Sequence, residues 1–436
     1  MVRIPVEVTC DAEGLTSRAG TALLTGLCDR VGLTSSLVSG LRVHSRAVAH
    51  EPGRIVADIA VMLADGGDCL TDLGALRDQE VLFGPVASNT TALRCIERMD
   101  KATLARVCEA RAASREHVWR MSSAPERVIL DIDATLVTSH SDKEGAAGTY
   151  KGGYGFHPLL CFEATTGEAL AGILRPGNAG SNTATDHVEV LDLALAQLPP
   201  GALNPGTLVR CDSAGATHAF LSAVAARGLS FSVGCDLSGR VRDAILALPE
   251  SAWTPALDSE GAARDGAWVT ELAIDLSSWP RGTRAICRRE RPHPGAQLSF
   301  SDVDGHRFQV MLTNQKGERI ARLERIHRQR AAIEDSIRCA KASGLRNMPF
   351  QSFSKNEAWL QLVLMGIDLV AWTKMLLLEG SALASAEPKT LRYRLFHVAG
   401  RIRTGSGQLK LRLQRGWEWG PAISGAFARL RALPTG

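Results

Sequence analysis

Apolar residues along this chain change their period twice. Up to about residue 120 they recur at helical spacing, in Ile55 to Leu63, Leu70 to Leu76 and the arginine-rich stretch from Leu104 to Met121. A short strand opens this region. Ser88-Asn89-Thr90-Thr91 punctuates it, with Thr91 as the expected cap of a helix containing Leu93, Ile96 and Met99. Near residue 125 the pattern turns to strands. Val128-Ile129-Leu130 begins a β-branched apolar run, and Gly155 to Glu163 and Ala169 to Arg175 read as two more strands around the turn Thr165-Thr166-Gly167-Glu168. A helix (Thr183 to Gln197), a strand (Thr207 to Cys211), a helix (Ala216 to Arg227) and a strand (Leu229 to Gly234) follow. From about 240 to 315 short strands dominate: Trp268 to Leu276, Thr283 to Arg288, Gln297 to Asp302 and Arg307 to Thr313. Helical spacing returns at about 317 and lasts to about 380.

Three consecutive strands, then alternating helix and strand, is the order of a ribonuclease-H-like core, so the expected class is mixed α/β. The expected organisation is a helical N-terminal region (1–122), the first part of the core (123–238), a β-rich insertion (239–316), the second part of the core (317–385) and a C-terminal region (386–436). A small DNA-binding module and a plain packing module both fit the N-terminal helices, which lack a clear helix-turn-helix signature.

Composition narrows the picture. Of 436 residues, 45% are hydrophobic and 22% charged, the balance of a globular protein with a core rather than of a disordered chain. The ten cysteines show no C-x-x-C spacing, which argues against a zinc site and fits a reducing cytoplasm. The first residues lack the apolar core of a signal peptide. Leu360 to Leu378 is interrupted by Asp368 and Lys374 and reads as a core helix, so no membrane is expected. The net charge of +4 does not by itself announce a nucleic-acid partner. Its distribution says more. Between Lys389 and Arg415 lie eight cations and no acid (Lys389, Arg392, Arg394, Arg401, Arg403, Lys410, Arg412, Arg415), a phosphate-binding pattern.

Charged residues inside apolar elements carry the chemistry. VILDIDATLV puts Asp131 and Asp133 on one face of a strand, where a carboxylate is costly unless paired or bound to metal. Asp212 ends a strand just before a helix, the usual location of ligands in α/β sheets. On a helix beyond them, His327, Arg330, Glu334, Arg338 and Lys341 fall within one arc of about 80°. Glu334 could serve i,i+4 salt bridges to Arg330 and Arg338, or it could bind metal while the cations hold DNA phosphates. Three carboxylates suit hard divalent ions, and two such ions can activate a nucleophile and stabilise a leaving oxygen in phosphodiester cleavage. LDIDATLV also fits the Asp-x-Asp-x-Thr motif of haloacid-dehalogenase-like phosphatases, with Asp131 as nucleophile and Asp133 as acid/base.

These segments resemble the DDE transposases of bacterial insertion sequences. His327, Arg330, Glu334 and Lys341 match the Tyr-x2-Arg-x3-Glu-x6-Lys signature in spacing and, except for His327, in identity. DATL (133–136) and VRCDSAG resemble the segments around the first and second acids. YKGGYGFHPLLCF and LRPGNAGSNT resemble the insertion-sequence family numbered thirteen-eighty. The resemblance implies Asp133, Asp212 and Glu334 as catalytic metal ligands for Mg2+, with Mn2+ as a substitute. It implies DNA contacts from the basic residues His327, Arg330, Arg338 and Lys341, to which the charge pattern of the C-terminal run adds Arg392, Arg394, Arg401 and Arg403. It further implies double-stranded DNA partners (terminal inverted repeats and target), a homodimer on DNA and a bacterial cytoplasmic setting. Related enzymes flip a base onto a tryptophan of the insertion, for which Trp253, Trp268 and Trp279 are candidates. A catalytically inactive, transposase-derived DNA-binding protein is the remaining alternative.

Overall fold

In the computed structural model, residues 6, 8–42, 49–292, 295, 302–303, 305–405 and 408–435 are described. The expected opening strand lies largely outside them, as does most of Gln297 to Asp302. Nine strands form one continuous path: β1 (Ile129–Ala134), β2 (Leu159–Glu163), β3 (Ala169–Ile173), β4 (Leu208–Cys211), β5 (Ser230–Cys235), β6 (Thr254–Leu257), β7 (Ala263–Leu272), β8 (Arg284–Glu290) and β9 (His306–Thr313). Their order across the sheet is β6-β7-β8-β9-β5-β4-β1-β2-β3, and a tenth short strand, Asp302–Val303, pairs with β9. The pairs β1–β4 and β4–β5 are parallel, and the others are antiparallel.

The mixed α/β class is therefore observed, with two revisions. The stretch Gly155 to Glu163 is two strands, not one. Tyr154–Phe156 belongs to a small separate sheet with Val137–Thr138 and Ala147–Gly148, and β2 starts only after Pro158. The strands of the β-rich segment do not form a sheet of their own: β9 pairs along β5 and extends the central sheet. Without β9, β5 would present an open edge, so this pairing covers a row of otherwise unmet backbone groups.

The helices that matter for the site are α1 (Pro52–Ala64), α2 (Lys101–Met121), α3 (Ala184–Leu195), α4 (His218–Ala226), α5 (Ile320–Arg328), α6 (Ala332–Ala340) and α7 (Phe353–Trp372). Ser88, rather than Thr91, caps the helix Asn89–Glu97 by accepting from the Thr91 amide at 3.3 Å. One hydrophobic cluster joins the N-terminal helices, the sheet and α7, and includes Leu63, Leu130, Val233 and Leu364. The helical stretch Phe353–Leu377 is long and apolar enough to cross a membrane, but it is mostly buried in this core. Gly366 lets α1 approach it closely, since a Cβ there would sit 3.2 Å from the Ala60 carbonyl.

Two of the α2 arginines turn inward rather than toward solvent. Arg115 pairs with Glu168 at 2.9 Å and Asp368 at 2.6 Å, and Arg111 pairs with Asp368 at 2.8 Å, all essentially without solvent exposure. Trp119 and Trp372 donate their indole N–H groups to the Glu168 carboxylate at 2.8 and 2.7 Å, and the Ala169 amide donates to Asp368 at 3.0 Å. Glu168 follows the turn before β3, so this network fastens α2 and α7 to one end of the sheet.

Candidate active site

Alternation in β1 buries Leu130 and Ile132 on one face and turns Asp131 and Asp133 to the other. The neighbouring parallel strand β4 is in register, with Asp131 opposite Arg210. Two residues farther along each strand, that register sets Asp133 beside Asp212. The two aspartates of β1 have different fates. Asp131 is 2% exposed and both its oxygens accept from Arg210, each at 2.6 Å. Arg210 also donates to the Ile326 carbonyl at 2.5 Å, which ties β1 and β4 to α5. With neither oxygen free and no opening to solvent, Asp131 cannot be a nucleophile, and the phosphatase alternative fails on that geometry.

Asp133 is partly open. One oxygen accepts from the Ala134 amide at 2.9 Å and the other pairs with Arg330 at 3.2 Å. Burial raises its pKa to about 6; Arg330 opposes the rise, while the charges of Asp212 and Glu334 add to it. Both other acids of the expected triad therefore lie close enough to Asp133 to act on its charge. Asp212 caps the turn Ser213–Gly215 through the Ala214 amide at 3.1 Å and is exposed.

The third acid comes from a helix whose course differs from the sequence expectation. A 3-10 turn, Gln329–Ala331, separates α5 from α6, and the helix ends at Ser343 and Gly344, the latter at φ +103°. Uniform rotation is broken between Arg330 and Glu334, and the expected single basic arc is split. His327 bonds Ser232 of β5 at 2.9 Å through Nδ1. Burial beside Arg330, Arg210 and Arg288 presses its pKa down to about 3. The ring is neutral at physiological pH, so the expected phosphate contact from His327 brings no positive charge; its role is to seat α5 on the sheet. Arg330 turns to Asp133 and the Ile132 carbonyl. Arg338 turns away to Asp335 at 2.9 Å and Glu387 at 2.6 Å. Glu334 thus has a cation four residues to either side, yet among the described residues it makes neither of the i,i+4 bridges the spacing allows. Lys341 is half-buried, and burial lowers its pKa.

A cavity of about 500 Å³ opens beside Asp212 and Arg330, with Arg288, Phe308, Gln309 and His327 in its wall. The tryptophans expected as base platforms each have a partner. Trp279 stacks on His218 at 3.9 Å, while Arg289 lies 4.4 Å from the ring centre of Trp253 and 5.0 Å from that of Trp268. In the C-terminal region Arg392 donates inward to the Ala342 carbonyl at 3.0 Å, a correction to its expected place on a DNA surface. Arg394 stacks on Trp419 at 4.5 Å, and Arg401 and Arg403 are exposed.

The donor set fits a hard divalent ion: the charges of Asp212 and Glu334 bear on Asp133, Arg330 pairs with it, and the anion at Asp133 is destabilised where it stands. The acids are not drawn into a tight cage. Among the described residues, the three-ligand group within 4.8 Å is Asp68, Cys69 and Asp72, at which Asp72 caps the backbone of Asp68 and Cys69 and Arg346 pairs with Asp68. Sequence reasoning missed Arg210 and Ser232. Arg210 was detectable: a charge in the apolar run TLVRC demands a buried partner as Asp131 does.

A family profile described as transposase DDE domain group 1 matches residues 2–435. Among solved structures, the synaptic complex of piggyBac transposase with hairpin DNA is similar, at 11% identity and a TM-score of 0.47, over 86% of this chain and 78% of that one. No curated protein matches the chain.

Proposed function

We propose, for a chain that belongs to the DDE transposase family, group 1, and is a transposase, that Asp133, Asp212 and Glu334 are its catalytic metal ligands. DDE transposases use divalent metals, and we assign magnesium here because three hard oxygen donors suit it. When bound, the ions supply Lewis-acid stabilisation of the attacking and leaving oxygens of a phosphodiester. The chain's own residues supply the frame. Asp131 and Arg210 hold β1, β4 and α5 in fixed relation, His327 seats α5, and Arg330 and Lys341 are the cations for substrate phosphates. The substrate is the transposon-end duplex, and the freed 3′-hydroxyl is then transferred to target DNA. The arrangement of acids on β1, at the end of β4 and on α6 is read as ribonuclease-H-like. The chain is read as a transposase of the bacterial insertion-sequence family numbered thirteen-eighty, which its motifs resemble, acting in the cytoplasm as a homodimer that joins two ends.

The observation that carries this reading is Glu334: its two helical neighbours of opposite charge are engaged elsewhere, and its own charge bears on Asp133. The test is magnesium-dependent nicking of DNA carrying the element's own ends. Glu334→Gln is expected to abolish nicking while end binding persists. Nicking by that variant at the wild-type rate would remove Glu334 from the site.

A further inference from the structure

The eight-cation run does not act as one surface. Arg392 is turned inward and Arg394 lies on Trp419, but four others gather on a hairpin. Its strands are β10 (Gly400–Gly405) and β11 (Gln408–Leu413), paired antiparallel, with the short strand Leu15–Thr16 along the other side of β10. In this register Arg401 faces Arg412 and Arg403 faces Lys410. Alternation puts these four on one face and Ile402, Leu411 and Leu413 on the other. All four cations are exposed, and among the described residues none makes an ion pair or hydrogen bond.

Like charges directly opposite each other across an antiparallel pair destabilise it. Two such pairs side by side, with no acid paired to them among the described residues, make a hairpin weakened by its own side chains unless a polyanion covers that face. We propose that the outer face of the β10–β11 hairpin is a track for the phosphate backbone of duplex DNA. The inference rests on the DNA-cutting role proposed above and locates the gripping surface outside the catalytic acids. The hairpin is rooted in the body: Arg392, just before it, holds the Ala342 carbonyl at 3.0 Å, and Asp65 accepts from Thr21 at 2.8 Å and from His397 at 3.0 Å. Ala342 lies eight residues beyond Glu334, or ~12 Å along a helix. On this reading the track contributes affinity and orientation, and the acids carry the cutting. Its contacts are to phosphates, without base edges, so they carry no sequence preference.

The test uses the full chain and the variant R401A/R403A/K410A/R412A, titrated against a short DNA duplex of arbitrary sequence over a range of salt. Each phosphate contact contributes about 0.9 to the slope of log K against log[salt], so the slope is expected to fall by about 3 to 4. R401K/R403K/R412K should keep the wild-type slope. The Tm of the alanine variant should equal or exceed that of wild type, because repulsion has been removed. An unchanged slope, or a lowered Tm showing the four cations to be structural, would overturn the proposal. So would equal slope loss with tighter binding to RNA, which would make RNA the partner. Failure of the wild-type chain to bind any duplex would instead sink the DNA-cutting reading itself.

Discussion

Glu168 and Asp368 meet Arg111 and Arg115 where water does not reach, and each carboxylate oxygen there accepts at least one hydrogen bond. Asp133 lies close enough to Asp212 and Glu334 to feel their charge, Asp212 lines a cavity, and among the described residues Arg330 is the one cation bonded to any of the three. The first centre has equal numbers of acids and arginines and closes on itself. The second has three acids to one arginine and, among the described residues, leaves carboxylate oxygens unmet. Burying a carboxylate costs several kcal/mol unless it is paired, so the closed centre is what structural economy produces. The open one conflicts with that economy, and such conflicts collect at functional sites. Density of buried charge alone would choose the closed centre, whereas the imbalance of charge points to the one proposed as the site.

The largest expected effects separate the two centres by what breaks. Removing one partner of the closed centre, as in Arg115→Met, leaves Glu168 and Asp368 short of a cation. It should cost on the order of 3–5 kcal/mol of stability, read as a shift in the urea midpoint. Glu334→Gln should leave that midpoint where it is and reduce nicking by roughly 10³-fold or more. If Arg115→Met unfolds no more easily than wild type, the closed centre does not hold the fold. If Glu334→Gln unfolds more easily, Glu334 is structural and the contrast collapses.

A smaller effect tests whether Asp133 is strained. Its native pKa of about 6 lies above the unfolded value of 3.8, so between those values the native state holds a proton that the unfolded state has released. The stabilising contribution is therefore fully present below about pH 4 and lost as pH rises through 6. Asp133→Asn removes this pH-dependent contribution. The variant should match wild type near pH 4 and exceed it by up to about 3 kcal/mol at pH 7.5, from roughly 1.4 kcal/mol per pKa unit. Saturating magnesium should narrow that gap by stabilising the wild-type carboxylates. A gap that is the same at both pH values would show that burial and the neighbouring acids do not destabilise the Asp133 anion.

Much of this is legible in the sequence, for a physical reason. Asp131 and Asp133 in an apolar strand, and Glu334 among cations on one helix, are local anomalies, and local anomalies survive in a one-dimensional record. The choice between Asp131 and Asp133 is not local. It turns on Arg210, a residue of another strand that comes level with Asp131 only when β1 and β4 pair in register. The same holds for the sheet extension, because nothing within β9 announces that it will lie along β5. The helix face was misdrawn at one point: a 3-10 turn at Gln329–Ala331 shifts every later side chain relative to a uniform 100° rotation. The eight-cation run shows the limit most clearly, since spacing could not tell inward Arg392 from outward Arg403.

The smallest effect concerns the cation that could have closed the open centre and does not. Arg338 stands four residues after Glu334, but it bonds Asp335 and Glu387 on an exposed surface. Exposed ion pairs of this kind contribute little, because solvent screens them and two long side chains must be ordered to form them. Arg338→Ala should therefore leave Tm unresolved from wild type. Its more informative readout is magnesium affinity, followed by the ion's effect on Tm at graded concentrations. If Arg338 is engaged away from the acids, the affinity of Arg338→Ala stays at the wild-type value. A clear tightening would mean that Arg338 competes with the ion for Glu334, and the site would then have two cations bearing on its three acids. That result would weaken the charge imbalance on which the comparison of the two centres stands.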